Sequence, residues 1–211
     1  MSDAVAPDAV DLTLSIDRAW WPLGDGSDPV EAVLDVLIEH LAPDLPTAEE
    51  QALRASLAVY ADWAASLSSG QRNSFALVRD PARGRADALL SWRLGEIPAD
   101  GYERFLASAR AMHSDSVVEL VNPTVSEVEL PVGRAIVVHD IAYSRTPGVQ
   151  RPARERCIVA IFPTDEPVLL ELSVSTIDLS LFDDLPDYVL RLASGEELGV
   201  PGYRESVEGA A

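Results

Sequence analysis

Three stretches decide the fold: Ala135–Tyr143, AIVVHDIAY; Cys157–Phe162, CIVAIF; and Val168–Thr176, VLLELSVST. The first two are apolar at odd and even positions alike, which places them as strands in the middle of a sheet. The third alternates, so one of its faces is expected to be wetter. Working back along the chain, Val117–Val121 reads as a strand, with a continuation to Leu130 left open, and Ser74–Arg79 and Ala88–Leu94 read as a hairpin around DPARGRAD. Apolar spacing switches to a helical period over residues 100–112, through Tyr102, Phe105, Leu106 and Ala109, and again over Leu179–Leu192, which Ser194-Gly195 ends.

Ahead of this block, VDLTLSI at residues 10–16 predicts a strand, and Trp20-Trp21-Pro22 to Asp28 a turn-rich connection. A helix follows with Asp28 as cap, Pro29 in its first turn and Val30, Val33, Leu34, Leu37 and Leu41 on one face. Thr47 and Glu50 have the spacing of a capping box. The helix behind them carries Leu53, Leu57, Tyr60, Ala64 and Leu67 on one stripe and Val59 and Trp63 on a second, a band wide enough for contact on two sides. The predicted fold class is α/β of the α+β type: a mostly antiparallel central sheet covered by helices, an α/β/α sandwich. Residues 1–9 are expected to be a disordered terminus and 196–211 a polar tail. Residues 10–195 are expected to be a single domain, with a strand and two helices over 10–70 and the sheet with two helices over 74–195.

The order from Ser74 to Gly195 resembles the PsbP-like α/β/α fold: a hairpin, a helix, a run of antiparallel strands containing VAIFP and LELSVST, and a closing amphipathic helix. That resemblance implies a binding or adaptor module, since relatives of the fold serve mainly as assembly factors, accessory subunits or chaperones. It transfers no functional residue.

Composition removes whole classes of chemistry. All 16 basic residues are arginines, so there is no lysine for a Walker A loop, a Schiff base or a protein kinase strand. A formal charge of −19 repels a phosphate backbone, which argues against nucleic acid as a partner. The lone cysteine, Cys157, cannot make an internal disulfide. The MSDAVAPDAV terminus lacks signal-peptide features, and no apolar run reaches the 18 residues of a membrane span. These point to a cytoplasmic protein with no membrane span.

No HExxH, paired His/Cys spacing, GxSxG or strand-borne GxGxxG is present, so no cofactor, metal or catalytic residue is assigned. His40 and His113 sit at helix C-termini, where the dipole favours a cation. His139 and Asp140, as strand neighbours, point to opposite faces. Cys157 opens an apolar strand and reads as a buried thiol.

Two features stand out. Arg79, Arg83, Arg85 and Arg93 flank the first hairpin, and Arg145, Arg151, Arg154 and Arg156 flank a later loop. A planar guanidinium fork binds carboxylate or phosphate in a bidentate manner, so Arg83, Arg85, Arg151 and Arg154 are candidates for docking a partner's acidic segment. The plainer reading is that arginines guard strand edges and pair with local acids. Trp20 and Trp21 are the second candidate, either as partner anchors or as a plug at the end of the core. The function these features favour is a non-catalytic adaptor, chaperone-like or accessory protein that binds another protein. A small-ligand binder or enzyme built from scattered groups such as Asp140, His139 and Tyr143 is the alternative, and self-assembly, for instance as a homodimer, is a third reading.

Overall fold

Period-two patterning produces one seven-stranded antiparallel sheet. Its strands are β1 (Trp20–Gly24), β2 (Asn73–Leu77), β3 (Ala88–Glu96), β4 (Val118–Leu130), β5 (Gly133–Ser144), β6 (Arg154–Pro163) and β7 (Val168–Thr176). They lie side by side in the order β1-β2-β3-β7-β6-β5-β4. Four helices accompany them: α1 (Val30–Leu41), α2 (Thr47–Ser66), α3 (Gly101–Arg110) and α4 (Leu185–Ala193). The computed structural model describes residues 16–24, 28–66, 73–116, 118–145, 152–164, 166–196 and 198–200. Almost all of the strand expected over residues 10–16 lies outside them, as do residues 1–9 and most of the polar tail.

Helices cover both faces, which makes the α+β sandwich. On one face, α4 sets Leu185, Tyr188, Val189 and Leu192 against Trp20, Leu90, Val137, Val159, Leu172 and Val174. Each leucine or isoleucine taken fully out of water there contributes ~1.5–3 kcal/mol. The opposite face has two separate caps: α1 and α2 pack over Leu23, Ala76, Val78 and Leu89, and α3 packs over Ile136, Val138, Ala160 and Phe162. Among the described residues, no helix is long and apolar enough to cross a membrane.

Four expectations change. Trp20-Trp21-Pro22 is strand β1 rather than a turn, because among the described residues it pairs with β2 alone, and an edge strand tolerates a proline that cannot donate. Asp28 does not cap α1: Pro29 takes that position, with no side-chain hydrogen bond. The last helix starts at Leu185 rather than Leu179, because Asp184 accepts from Asp187 N at 2.9 Å while Asp178 ties Ser180 into a turn ahead of it. The second stripe of α2 is not packed throughout, since Val59 is 66% exposed.

The wetter face expected for β7 is polar but buried. Glu171, Ser173 and Ser175 lie between the two helical caps, with Ser91 and Asp140 buried in the same sheet layer. Ser91 and Ser173 share a hydrogen bond of 2.8 Å between their hydroxyls. At the turn into β5, Gly133 has φ +147, and a Cβ there would stand 2.2 Å from Phe162 O, so only glycine fits.

Candidate functional site

The sheet register brings the two arginine clusters to one end of the fold. Ala88, at the start of β3, faces Thr176 at the end of β7, which faces Glu155 at the start of β6. The segment holding Arg79, Arg83 and Arg85 therefore lies beside the strand start that holds Arg154. Thr176 fastens the junction by donating its hydroxyl to Asp87 O at 2.7 Å.

Most guanidinium groups here are matched by carboxylates. Arg79 Nη2 lies 3.0 Å from Asp87 Oδ1 and 3.5 Å from Asp178 Oδ2. Arg85 Nη2 lies 3.2 Å and 2.9 Å from the same two groups. Asp87 is buried and Asp178 partly so, which makes the four a network rather than isolated surface pairs. Hydrogen bonds from Ser180 hold the Asp178 carboxyl below the usual carboxylate range, with Arg85 adding to the effect. Arg83 is exposed in the 3₁₀ turn Pro81–Arg83, which Asp80 caps by accepting from Ala82 N at 3.0 Å. It makes no ion pair among the described residues.

Arg154 takes a different partner. Its guanidinium carbon lies 4.1 Å from the centre of the Trp63 ring, a cation–π contact. Trp63 stacks on Tyr60 with centroids 6.0 Å apart. Burial pushes the Tyr60 phenol well above its ordinary value, and the negative charge of Asp87 pushes it further. This end of the sheet thus joins the C-terminal half of α2 to both arginine clusters. Arg151 lies outside the described residues.

The remaining arginines of the two clusters are tied locally. Arg93 holds Glu171 through Nε at 3.2 Å and Nη2 at 2.7 Å. Arg156 holds Asp140 Oδ2 through Nε at 3.2 Å and Nη2 at 2.5 Å. Arg145 reaches Glu119 at 3.4 Å on the surface. Asp140 is fully buried, and its other oxygen, Oδ1, has no hydrogen-bond partner among the described residues.

Trp20 is in the core, with its indole N–H donating to Tyr188 OH at 3.3 Å. Trp21 is half-buried and packs against the α1–α2 cluster on the other face. The pair staples the first strand into both layers.

Asp140, His139 and Tyr143 do not converge. His139 and Tyr143 share the α4 side of β5, and Asp140 lies on the other face. Sequence reasoning missed the partner of His139, which is Glu155 on the next strand: Nε2 donates to Oε1 at 2.9 Å. Cys157 faces His139 across the β5–β6 ladder but is fully buried. Desolvation, then the nearby charges of Glu155, Asp184 and Asp140, push its thiol up to about 12, so it stays protonated at neutral pH. Among the described residues, no group of histidine, cysteine and carboxylate side chains is arranged to hold a metal.

A cleft of about 330 Å³ lies at the opposite end of the sheet, lined by Ile97, Pro98, Tyr102, Phe162, Pro163 and Glu166 among others. Its walls are mostly proline and aromatic. Tyr102 is edge-on to Phe162, with the Arg134 guanidinium 3.5 Å from its ring centre.

In comparison with known proteins, no family model matches the chain, and no curated protein proves to be a relative.

Proposed function

We propose that the protein is a non-catalytic binding module that docks an acidic segment of another protein at the sheet end where Arg83, Arg85 and Arg154 gather. One observation carries this reading: arginines 69 residues apart in sequence, Arg85 and Arg154, flank one strand junction beside an aromatic stack. Exposed arginine side chains at this end, in a chain of charge −19, are groups that an acidic segment fits. Arg83 is solvent-facing and makes no ion pair among the described residues, Arg85 is 40% exposed, and the Arg154 guanidinium carbon lies 4.1 Å from the centre of the Trp63 ring. The resemblance to the PsbP-like fold supports the same role, as an adaptor, chaperone-like or accessory protein.

The test is affinity capture from the native host with the intact chain and with Arg83→Ser/Arg85→Ser/Arg154→Ser, together with anisotropy of a glutamate-rich labelled peptide. Loss of both captured partner and peptide in the triple variant, but not in Arg191→Ser, is the expected result. Every partner retained by the triple variant would dispose of the reading.

A further inference from the structure

The open edge of the sheet offers a second interaction surface, independent of the arginine end. β4 pairs with β5 alone, and among the described residues no strand lies beyond it. Its first part is closed by the preceding turn. Val118 N donates to Asp115 Oδ1 at 2.6 Å, Leu120 N donates to Ser114 Oγ at 2.9 Å, and Asp115 N returns a bond to Val118 O at 2.9 Å. Those bonds reveal that Val118 and Leu120 turn their backbone groups away from β5. In an antiparallel ladder, successive residues alternate between bonding the neighbour and facing away. Val121, opposite Ile141, therefore bonds β5.

A bulge then changes the parity. The register slips by one residue between Val121 and Thr124, at Asn122-Pro123, where Asn122 has φ +48. Thr124, Ser126, Val128 and Leu130, opposite His139, Val137, Ala135 and Gly133, bond β5. Val125, Glu127 and Glu129 are left with N–H and C=O groups pointing outward. From Thr124 to Leu130 this open ladder runs roughly 23 Å. Proline, bulge and turn bonds blunt the first part of the strand as edges usually are blunted, but none of these devices acts after Pro123.

Side chains define what fits. On the α3 side of the edge stand Val125, Glu127 and Glu129. Glu127 is drawn over the sheet by Tyr102 OH at 2.6 Å, Arg110 at 2.8 Å and Arg134 at 3.4 Å, and Glu129, opposite Arg134, is exposed and makes no ion pair among the described residues. On the other side, Val128 and Leu130 pack at the margin of the α4 core. An added strand that alternates cationic with apolar side chains sets a cation beside Glu129 and apolar groups beside Val128 and Leu130, and suits a chain of charge −19. A second copy of β4 does not, since it would set the glutamates of both chains on one face.

We infer that Thr124–Leu130 binds an extended segment of a partner protein by strand addition, with basic side chains on the α3 side and apolar ones on the other. The probe is an end-blocked heptapeptide of alternating arginine and valine, and hydrogen exchange on the intact chain is the readout. The peptide is expected to protect the amides of Val125, Glu127 and Glu129 and to leave those of Thr124, Ser126 and Val128 unchanged. Glu129→Pro removes an outward donor without touching the β5 ladder, so it should weaken binding roughly three- to tenfold, the worth of about one hydrogen bond. Independently of any variant, one of two peptides N-methylated at alternate residues should fail to bind, and a glutamate–valine counterpart should not bind. The inference falls if the three amides are already protected in the free protein, if protection appears elsewhere, or if both methylated peptides bind like the parent.

Discussion

Replacing Arg156 by methionine should destabilise the protein far more than replacing its partner Asp140 by leucine, although either change breaks the same ion pair. The Asp140 side chain is 0% exposed and that of Arg156 is 26% exposed. In Arg156→Met, a buried carboxylate that makes no other ion pair among the described residues is stranded, a loss of about 3–5 kcal/mol. In Asp140→Leu, the stranded guanidinium keeps a path to water along its own stem, and the unbonded Oδ1 disappears with the carboxylate, so the loss falls to about 1–2 kcal/mol. The double variant carries neither charge and should return to within about 1 kcal/mol of the native chain. Urea denaturation of the four proteins, at equal slopes, measures all three differences and their coupling. Asp140→Leu costing as much as Arg156→Met, or a double variant losing the sum of the singles, would refute the assignment of burial as the deciding factor.

Cys157 should resist a thiol reagent at pH 8 in the native protein and react fully in denaturant, because burial holds the thiol at about 12; native labelling as fast as that of free cysteine would contradict it. Asp178 has a folded pKa lowered by Ser180 and Arg85, so the stability it supplies is present above the ordinary carboxylate value and is lost as pH falls through the folded one. Asp178→Asn should therefore flatten the acid limb of stability below the ordinary carboxylate value, and parallel losses in both proteins would argue against this. Gly133→Ala forces a Cβ to within 2.2 Å of Phe162 O at φ +147, and should lower the thermal midpoint by well over 5 °C, a shift worth roughly 2 kcal/mol in a domain of this size. An unchanged midpoint would show that the β4–β5 turn is soft.

The strands were legible because period two survives in the residues themselves: β5 and β6 read as buried on both faces, and each packs on α4 and on α3. β1 was not legible, since a proline after two tryptophans has the local look of a turn, and a strand is admissible there because among the described residues no neighbour lies beyond it. The same limit applies to charge. That arginines cluster at residues 79–93 and 145–156 is visible in one dimension, but Arg85 meets Asp178 across 93 residues, and Arg154 meets Trp63 through the packing of α2. Glu155 as the partner of His139 carried one weak signal, an acid two residues before Cys157 on a strand whose register was unknown. The polar layer of Ser91, Glu171 and Ser173 was half legible: alternation gave its polarity but not the flanking helices that bury it.

The position of β7 has a consequence for how the chain assembles. β1, β2 and β3 make one set of neighbours and β4, β5 and β6 another, and the two sets touch in the sheet only through β7, which pairs with β3 along Ala88–Glu96 and with β6 along Glu155–Ile161. A nascent chain that has not yet delivered Val168–Thr176 from the ribosome therefore holds two half-sheets, each ending in an unpaired strand rich in leucine, isoleucine and valine. Closure waits for a segment about 70 residues downstream of β3, a long-range event of the kind that slows folding. Until it arrives, β3 and β6 are the sites where misassembly between chains would begin.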